Sequence, residues 1–307
     1  MKGEKLSFLS PGGVHRLVCL SKGLLILGVV LFASCDKSTY DDSRPHIPTP
    51  VRQTVIDRDG AWSPDGSKII YFRHFSERQD TQWVWGVFLY DLTSGRDSLL
   101  WPYFQAFDLT WSPDGKKVAF SHGAQIYIRD LDSSNMTQIT SGERCFGSRW
   151  SPCGDKLMYF IRETVKGMYL YNLDWGTAFH FGGNANSGDW LPGCTTVVLT
   201  DFLDHYDEDI VIRSLSSGTR KVLRYVPGFK RAVTGDPTGT QFILSADPYL
   251  WKVGTDMTEP QRLTTEGGGF PDWSPDGKWI VYTKVDSLNG HLWLMRPDGS
   301  ERHQITF

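Results

Sequence analysis

Apolar positions along this chain fall in short runs of three or four letters, each opened by a polar turn. Ile69-Ile70-Tyr71-Phe72, Val118-Ala119-Phe120, Leu157-Met158-Tyr159-Phe160, Val197-Val198-Leu199, Phe242-Ile243-Leu244 and Trp279-Ile280-Val281-Tyr282 are β-branched and aromatic, and each predicts a strand. The turn ahead of each run repeats. Trp111-Ser112-Pro113-Asp114-Gly115 returns at Trp62 to Gly66 and Trp273 to Gly277, with one letter changed at Trp150 to Gly154, and in weaker form at Trp190 to Gly193 and Gly235 to Gly239. Ser-Pro-Asp-Gly is close to ideal for a type I turn: a hydrogen-bonding Ser first, Pro with φ preset second, Gly to close. Later in each unit a third run follows, as in Val87 to Tyr90, Ile126 to Ile128, Met168 to Tyr171 and Leu292 to Met295. A short fourth follows in Gln138-Ile139-Thr140, Arg262-Leu263-Thr264 and Gln304-Ile305-Thr306.

The six turns begin at 62, 111, 150, 190, 235 and 273, a spacing of 38 to 49 residues, which is the period of propeller blades. One four-stranded sheet cannot bury both faces, whereas several arranged radially can. The expectation is therefore an all-β chain, a six-bladed β-propeller of four-stranded antiparallel blades over residues 55–307. The Trp ahead of five of the six turns fits as packing between blades, since an aromatic ring of that size buries roughly 150–250 Å², worth up to about 4–6 kcal/mol. A platform for stacking sugars is the other reading of those rings.

The first 34 residues have another character. Lys2, Lys5, Arg16 and Lys22 precede or flank Leu24 to Ala33, an apolar core too short for a transmembrane helix and of the length an export signal uses. Phe32-Ala33-Ser34-Cys35 resembles the lipobox of bacterial lipoproteins, which implies lipidation at Cys35; a plain secreted protein is the alternative. Acyl chains contribute about 0.8 kcal/mol per buried CH₂, so two or more would anchor stably. Residues 35–54 are polar and proline-punctuated, as a tether would be. Arg52 to Ile56 reads either as an added strand outside the ring or as the end of that tether. The predicted location is the cell envelope, on the periplasmic side or the cell surface.

A net charge of −3 argues against nucleic acid as partner. Beyond the leader the cysteines are Cys145, Cys153 and Cys194. Cys153 takes the Asp place in the third turn and Cys194 lies in the fourth, so the two form either a disulfide across neighbouring turns or a pair of free thiols. Cys145 falls at the far end of an innermost strand and is not expected to join them.

Taken together, the Leu-Thr or Ile-Thr before the unit, Trp-Ser-Pro-Asp-Gly within it and the later Asp-Gly or Ser-Gly turn resemble the TolB-type six-bladed propeller repeat, also found in the propeller of dipeptidyl-peptidase-like enzymes. The resemblance covers nearly everything from residue 55 onward and is specific for fold, weak for function. TolB carries an α/β domain ahead of its propeller, where only about twenty residues separate Cys35 from the first repeat, so a place in the Tol machinery is not implied. The Gly-x-Ser-x-Gly of the peptidases is missing. Oligogalacturonate lyases, a third set of relatives, use a histidine-rich metal site, but the histidines here share no metal-ligand spacing. The acidic run Asp201 to Asp209, placed in a loop of the fourth repeat, is either a calcium-holding loop or a solvated one.

The sequence thus predicts a monomeric, lipid-anchored binding module for an envelope protein or peptide, with no cofactor and no catalysis. The alternative is a carbohydrate-active or glycan-binding propeller with a site at the channel mouth. Loops leading into the innermost strands converge on that mouth. Arg144, Lys230 and Arg231 are the expected contacts for a carboxylate or acidic peptide, since guanidinium pairs with carboxylate bidentately. Asp59 is a further candidate.

Overall fold

The computed structural model describes residues 54–75, 85–204, 207–223, 226, 228–256, 260–286 and 289–307, with backbone alone at 202–204, 207–209 and 223. The stretch expected to be an export signal, Cys35 and the expected tether as far as 53 lie outside these residues, as does His205. Every apolar run of the repeats is a strand. The first repeat holds β1 (Val55–Trp62), β2 (Lys68–Phe75), β3 (Gly86–Asp91) and β4 (Arg96–Pro102). The second holds β5 (Phe107–Trp111), β6 (Lys117–His122), β7 (Gln125–Asp130) and β8 (Met136–Gln138). The third holds β9 (Cys145–Trp150), β10 (Lys156–Ile161), β11 (Gly167–Asn172) and β12 (Thr177–Gly182). The fourth holds β13 (Ala185–Trp190), β14 (Thr196–Asp204), β15 (Asp207–Ser214) and β16 (Arg220–Leu223). The fifth holds β17 (Lys230–Gly235), β18 (Gln241–Ala246), β19 (Tyr249–Gly254) and β20 (Gln261–Arg262). The sixth holds β21 (Gly269–Trp273), β22 (Ile280–Val285), β23 (Gly290–Met295) and β24 (His303–Gln304).

Within each repeat the strands pair antiparallel in chain order. Four repeats, the second to the fifth, are separate four-stranded sheets; the first and sixth share one eight-stranded sheet, joined by a single parallel pairing of Ile56 with Gly290. Val55 and Ile56 therefore open β1 and are neither an extra strand nor tether. Asn289 ties the same join by accepting the Val55 amide at 3.0 Å. The innermost strands β1, β5, β9, β13, β17 and β21 each touch the next, and β21 touches β1, so they form a closed circuit.

The turns show why these letters recur. Ser63 Oγ donates to Asp65 at 2.6 Å and accepts the Lys68 amide at 2.9 Å, while Gly66 adopts φ of 70°. Ser112 with Asp114 and Ser274 with Asp276 repeat the arrangement. Where Cys153 replaces Asp, Ser151 turns to Asp155 instead, at 3.0 Å. In the fifth turn Asp236 takes the Ser role and accepts the Gln241 amide. The acidic run of the fourth repeat, expected in a loop, is mostly strand: Asp201 pairs with Asp209 and Phe202 with Glu208 in the β14–β15 ladder.

The core lies between sheets. Ile70, Phe72, Val87 and Trp101 of the first repeat pack with Leu109, Trp111, Val118 and Phe120 of the second, and the pattern recurs around the circuit. The turn tryptophans seal these seams: Trp111 Nε1 donates to Ala61 O at 3.1 Å, and Trp190 Nε1 to Arg149 O at 3.2 Å. Trp150 departs from the pattern and donates to Gly154 of its own turn.

Candidate functional site

All six innermost strands carry a break in pairing register just before the turn. Such a bulge adds a residue on one strand and re-aims the neighbouring side chains. At Asp59, Asp108, Gly147 and Phe270 it is marked by φ between 52° and 69°, three residues ahead of the turn Trp. Asp tolerates that conformation because its short side chain can bond locally. Residues one and three before the Trp consequently line a central cavity of about 370 Å³: Asp59, Asp108, Arg149, Asp189, Phe270 and Asp272 among others.

Arg149 is the one cation among the residues lining this cavity, against four carboxylates. Burial pushes Asp272 up to about 7, with repulsion from Asp189 adding to it and the Trp62 amide and Arg149 opposing. Asp59 is raised as well, by burial and by the neighbouring Asp108 charge, against Arg58 and Arg149. Burial also raises Asp189, opposed by Arg149 and by the Gly235 amide. Three of the four carboxylates are already engaged. Asp272 Oδ2 accepts the Trp62 amide at 2.9 Å, Asp189 Oδ2 the Gly235 amide at 3.0 Å, and Asp108 Oδ2 the Gly147 amide at 2.8 Å. Each bond crosses from one repeat to the next, so the acids staple the ring. Among the described residues no three His, Cys, Asp or Glu side chains are gathered to ligate a metal.

The opposite end of the innermost strands opens differently. Between the second and third repeats Gln105, Phe107, Arg144, Phe146, Arg162 and Glu163 line a cavity of about 680 Å³, which shares Asp108 with the central one. Arg162 lies 4.3 Å over the Phe146 ring, and its Nε donates to Asn186 Oδ1 at 3.0 Å. Arg58 sits 4.2 Å over Phe107. The two loops are tied reciprocally, the Thr164 amide to Glu143 at 3.2 Å and the Arg144 amide to Glu163 at 3.4 Å. The Arg144 side chain is 76% exposed and 3.9 Å from Glu163. A stacked guanidinium held in plane beside an exposed one is suited to a carboxylate carried on an apolar group.

The sequence-derived candidates scatter. Arg144 lines the mouth cavity, whereas Asp59 faces the central one. Lys230, expected on the rim, is buried, with Nζ donating to Gly228 O at 3.3 Å. Arg231 is exposed and paired with Asp247 at 2.5 Å. Asp201, which opens the acidic run read as a calcium-holding or solvated loop, is buried and accepts the Asn184 amide at 2.7 Å. Cys153 and Cys194 are joined in a disulfide with Cα atoms 6.0 Å apart, while Cys145 is a buried free thiol at the start of β9. Sequence reasoning missed Asp108, Arg149, Asp189, Asp272 and Arg162. For the three acids the signal was present, an Asp one or three letters before the turn Trp, but its meaning depends on a bulge that no letter announces.

Comparison with known proteins accords with this architecture. The chain is similar to the putative TolB from Agrobacterium tumefaciens, with 20% identity and a TM-score of 0.63, covering 70% of this chain and 85% of that one. The fold is a β-propeller. Its blades are four-stranded and antiparallel. TolB from Acinetobacter baumannii gives a TM-score of 0.51 at 20% identity, over 82% of this propeller chain and 54% of that one. Residues 63–149 match the dipeptidyl peptidase IV N-terminal region. An uncharacterised peptidase, YuxL of Bacillus subtilis (strain 168), is 21% identical over 235 residues, which is 73% of this chain and 29% of YuxL.

Proposed function

We propose that this propeller is a binding module of the cell envelope that docks a protein or peptide at the mouth between its second and third repeats, through a carboxylate beside an apolar side chain. The observation that carries this reading is the mouth cavity itself, where Arg144 and Arg162 stand beside Phe107 and Phe146 on loops tied by Glu143 and Glu163. Asp108, Asp189 and Asp272 support it from the other side, because their oxygens accept backbone amides of the next repeat and so serve the ring. In this reading the ring has six blades, the eight-stranded sheet being the first and sixth joined at Ile56 and Gly290; the closed circuit of innermost strands supports that count. The export signal and the Cys35 lipobox would hold the propeller to a membrane as a lipoprotein, on the periplasmic side or the cell surface.

The test is affinity capture of the tagged full chain from its native envelope after mild cross-linking, beside an Arg144→Ala/Arg162→Ala variant. The wild type is expected to retain one protein in near-stoichiometric amount and the variant to lose most of it. Equal capture by both, or enrichment of nothing, contradicts docking at this mouth. The matches to a peptidase propeller region and to YuxL keep one comparison worthwhile: peptide hydrolysis by the purified chain, for which we expect no turnover.

A further inference from the structure

The seams of the ring are not built alike. Carboxylate-to-amide staples cross from the second repeat to the third (Asp108 to Gly147), from the fourth to the fifth (Asp189 to Gly235) and from the sixth to the first (Asp272 to Trp62). Among the described residues neither the seam from the third repeat to the fourth nor that from the fifth to the sixth has such a staple; the latter has the Thr234 hydroxyl 3.4 Å from Asp272, and the former has the disulfide. At the former, the innermost strands β9 and β13 are held by the Trp190 indole on Arg149 O, by Arg162 on Asn186 and by the disulfide between Cys153 and Cys194.

Both cysteines stand where the turn prefers something else. Cys153 replaces the Asp that in other turns accepts from the Ser, as in Ser63 with Asp65 and Ser112 with Asp114. Cys194 occupies the closing place, where the corresponding glycines have positive φ, 70° at Gly66, 69° at Gly115 and 70° at Gly277, and it does so with φ of 61°. A side chain in that left-handed region is disfavoured in its own turn. Two neighbouring turns thus each give up a preferred residue at the positions the cross-link needs. The bond is also reachable: Cys153 is exposed and Cys194 half-exposed.

We propose that the Cys153–Cys194 disulfide is a redox latch on the seam between the third and fourth repeats, and that a dithiol reductant is its chemical partner. A thiolate of the dithiol attacks one sulfur and forms a mixed disulfide, and its second thiol resolves it. The protein disulfide gains two electrons and two protons to become two thiols, and the dithiol is oxidised to its own disulfide. Loss of the cross-link removes the constraint at this seam while the stapled seams keep their bonds, so the ring loosens first between β9 and β13. Loosening there moves Arg162 relative to Asn186, which couples the latch to the mouth.

The experiment is hydrogen–deuterium exchange on the full chain, oxidised and after dithiothreitol, with a Cys153→Asp/Cys194→Gly variant that restores the turn letters without the cross-link. Reduction is expected to raise exchange about tenfold at amides of β9 and β13, with little change at β1 and β21, and to lower the melting temperature by several degrees. The variant is expected to be indifferent to dithiothreitol. Uniform change around the ring, no change on reduction, or free thiols found by mass spectrometry in air-oxidised protein would each overturn the latch. Because the readout is local exchange and needs no ligand, it stands or falls separately from docking at the mouth.

Discussion

Asp272 sits with its carboxyl in the channel wall, one oxygen on the Trp62 amide, and burial lifts it to about 7. The sign of its effect follows from linkage. A folded-state pKa above the unfolded value of 3.8 means the native state holds the extra proton between about pH 4 and 7, so this group makes stability fall as pH rises through that window. Denaturant titrations should therefore find the protein more stable at pH 5 than at pH 8, and Asp272→Asn should flatten that difference while keeping an acceptor for Trp62. Asp272→Ala leaves the amide unpaired and should lose about 1–3 kcal/mol at either pH. Arg149 opposes the upward shift at Asp59, Asp189 and Asp272 alike. Arg149→Ala should accordingly move the whole pH dependence to higher pH, which the same titrations would register; an unmoved profile would mean that Arg149 does not set the channel potential. Asp57 behaves oppositely. Burial pushes it up, but His291 and Arg73 outweigh burial and hold it below the usual carboxylate range. Arg73 grips it with Nε at 2.6 Å and Nη2 at 3.0 Å. Arg73→Ala removes the two-point partner of a buried carboxylate, leaving His291 beside it, and should cost up to about 3–5 kcal/mol in thermal or chemical unfolding.

At the scale of the element, two glycines separate two kinds of constraint. Gly115 closes the second turn at φ of 69°, and a Cβ there would meet nothing nearer than Pro64 Cδ at 3.9 Å. Gly115→Ala should therefore cost only the backbone term, about 1–2 kcal/mol. Gly188 in β13 has no such φ, but a Cβ would fall 2.5 Å from Leu199 Cδ2 and 2.9 Å from Val198 O. Gly188→Ala should exceed the Gly115 change in an unfolding assay, because strand and neighbour must both shift. The turns and strands were legible from sequence because their determinants are local: a Ser and an Asp two residues apart, a Gly that accepts positive φ, a run of β-branched residues. The bulges were not. They follow from how an innermost strand bends against its neighbour, and they account for where two of the candidates fall. Lys230, beside the register break in β17, is buried and not on the rim, and Asp59 is turned into the channel.

For the whole molecule, the repeat period foretold a propeller of four-stranded blades, and the circuit of innermost strands with similarity to solved propellers agrees. What the period left open was closure. The first repeat supplies its own innermost strand, and the ring joins through one parallel residue pair, an Asn289 contact and the Asp57 cluster, with β23 lying against β1. The mouth was legible only in part. Arg144 could be named from its place in a loop before β9, whereas Arg162 and the two phenylalanines enter the site through the packing of neighbouring sheets, which carries no local sequence mark. The proposed docking falls at that mouth. A photoreactive residue placed at Gln105, in the cavity, and another at Trp175, 72% exposed on the outer side of the third repeat, would test it directly in the native envelope. We expect a discrete cross-linked adduct from position 105 and none from 175. Adducts of equal yield from both positions, or from 175 alone, would contradict docking at the mouth.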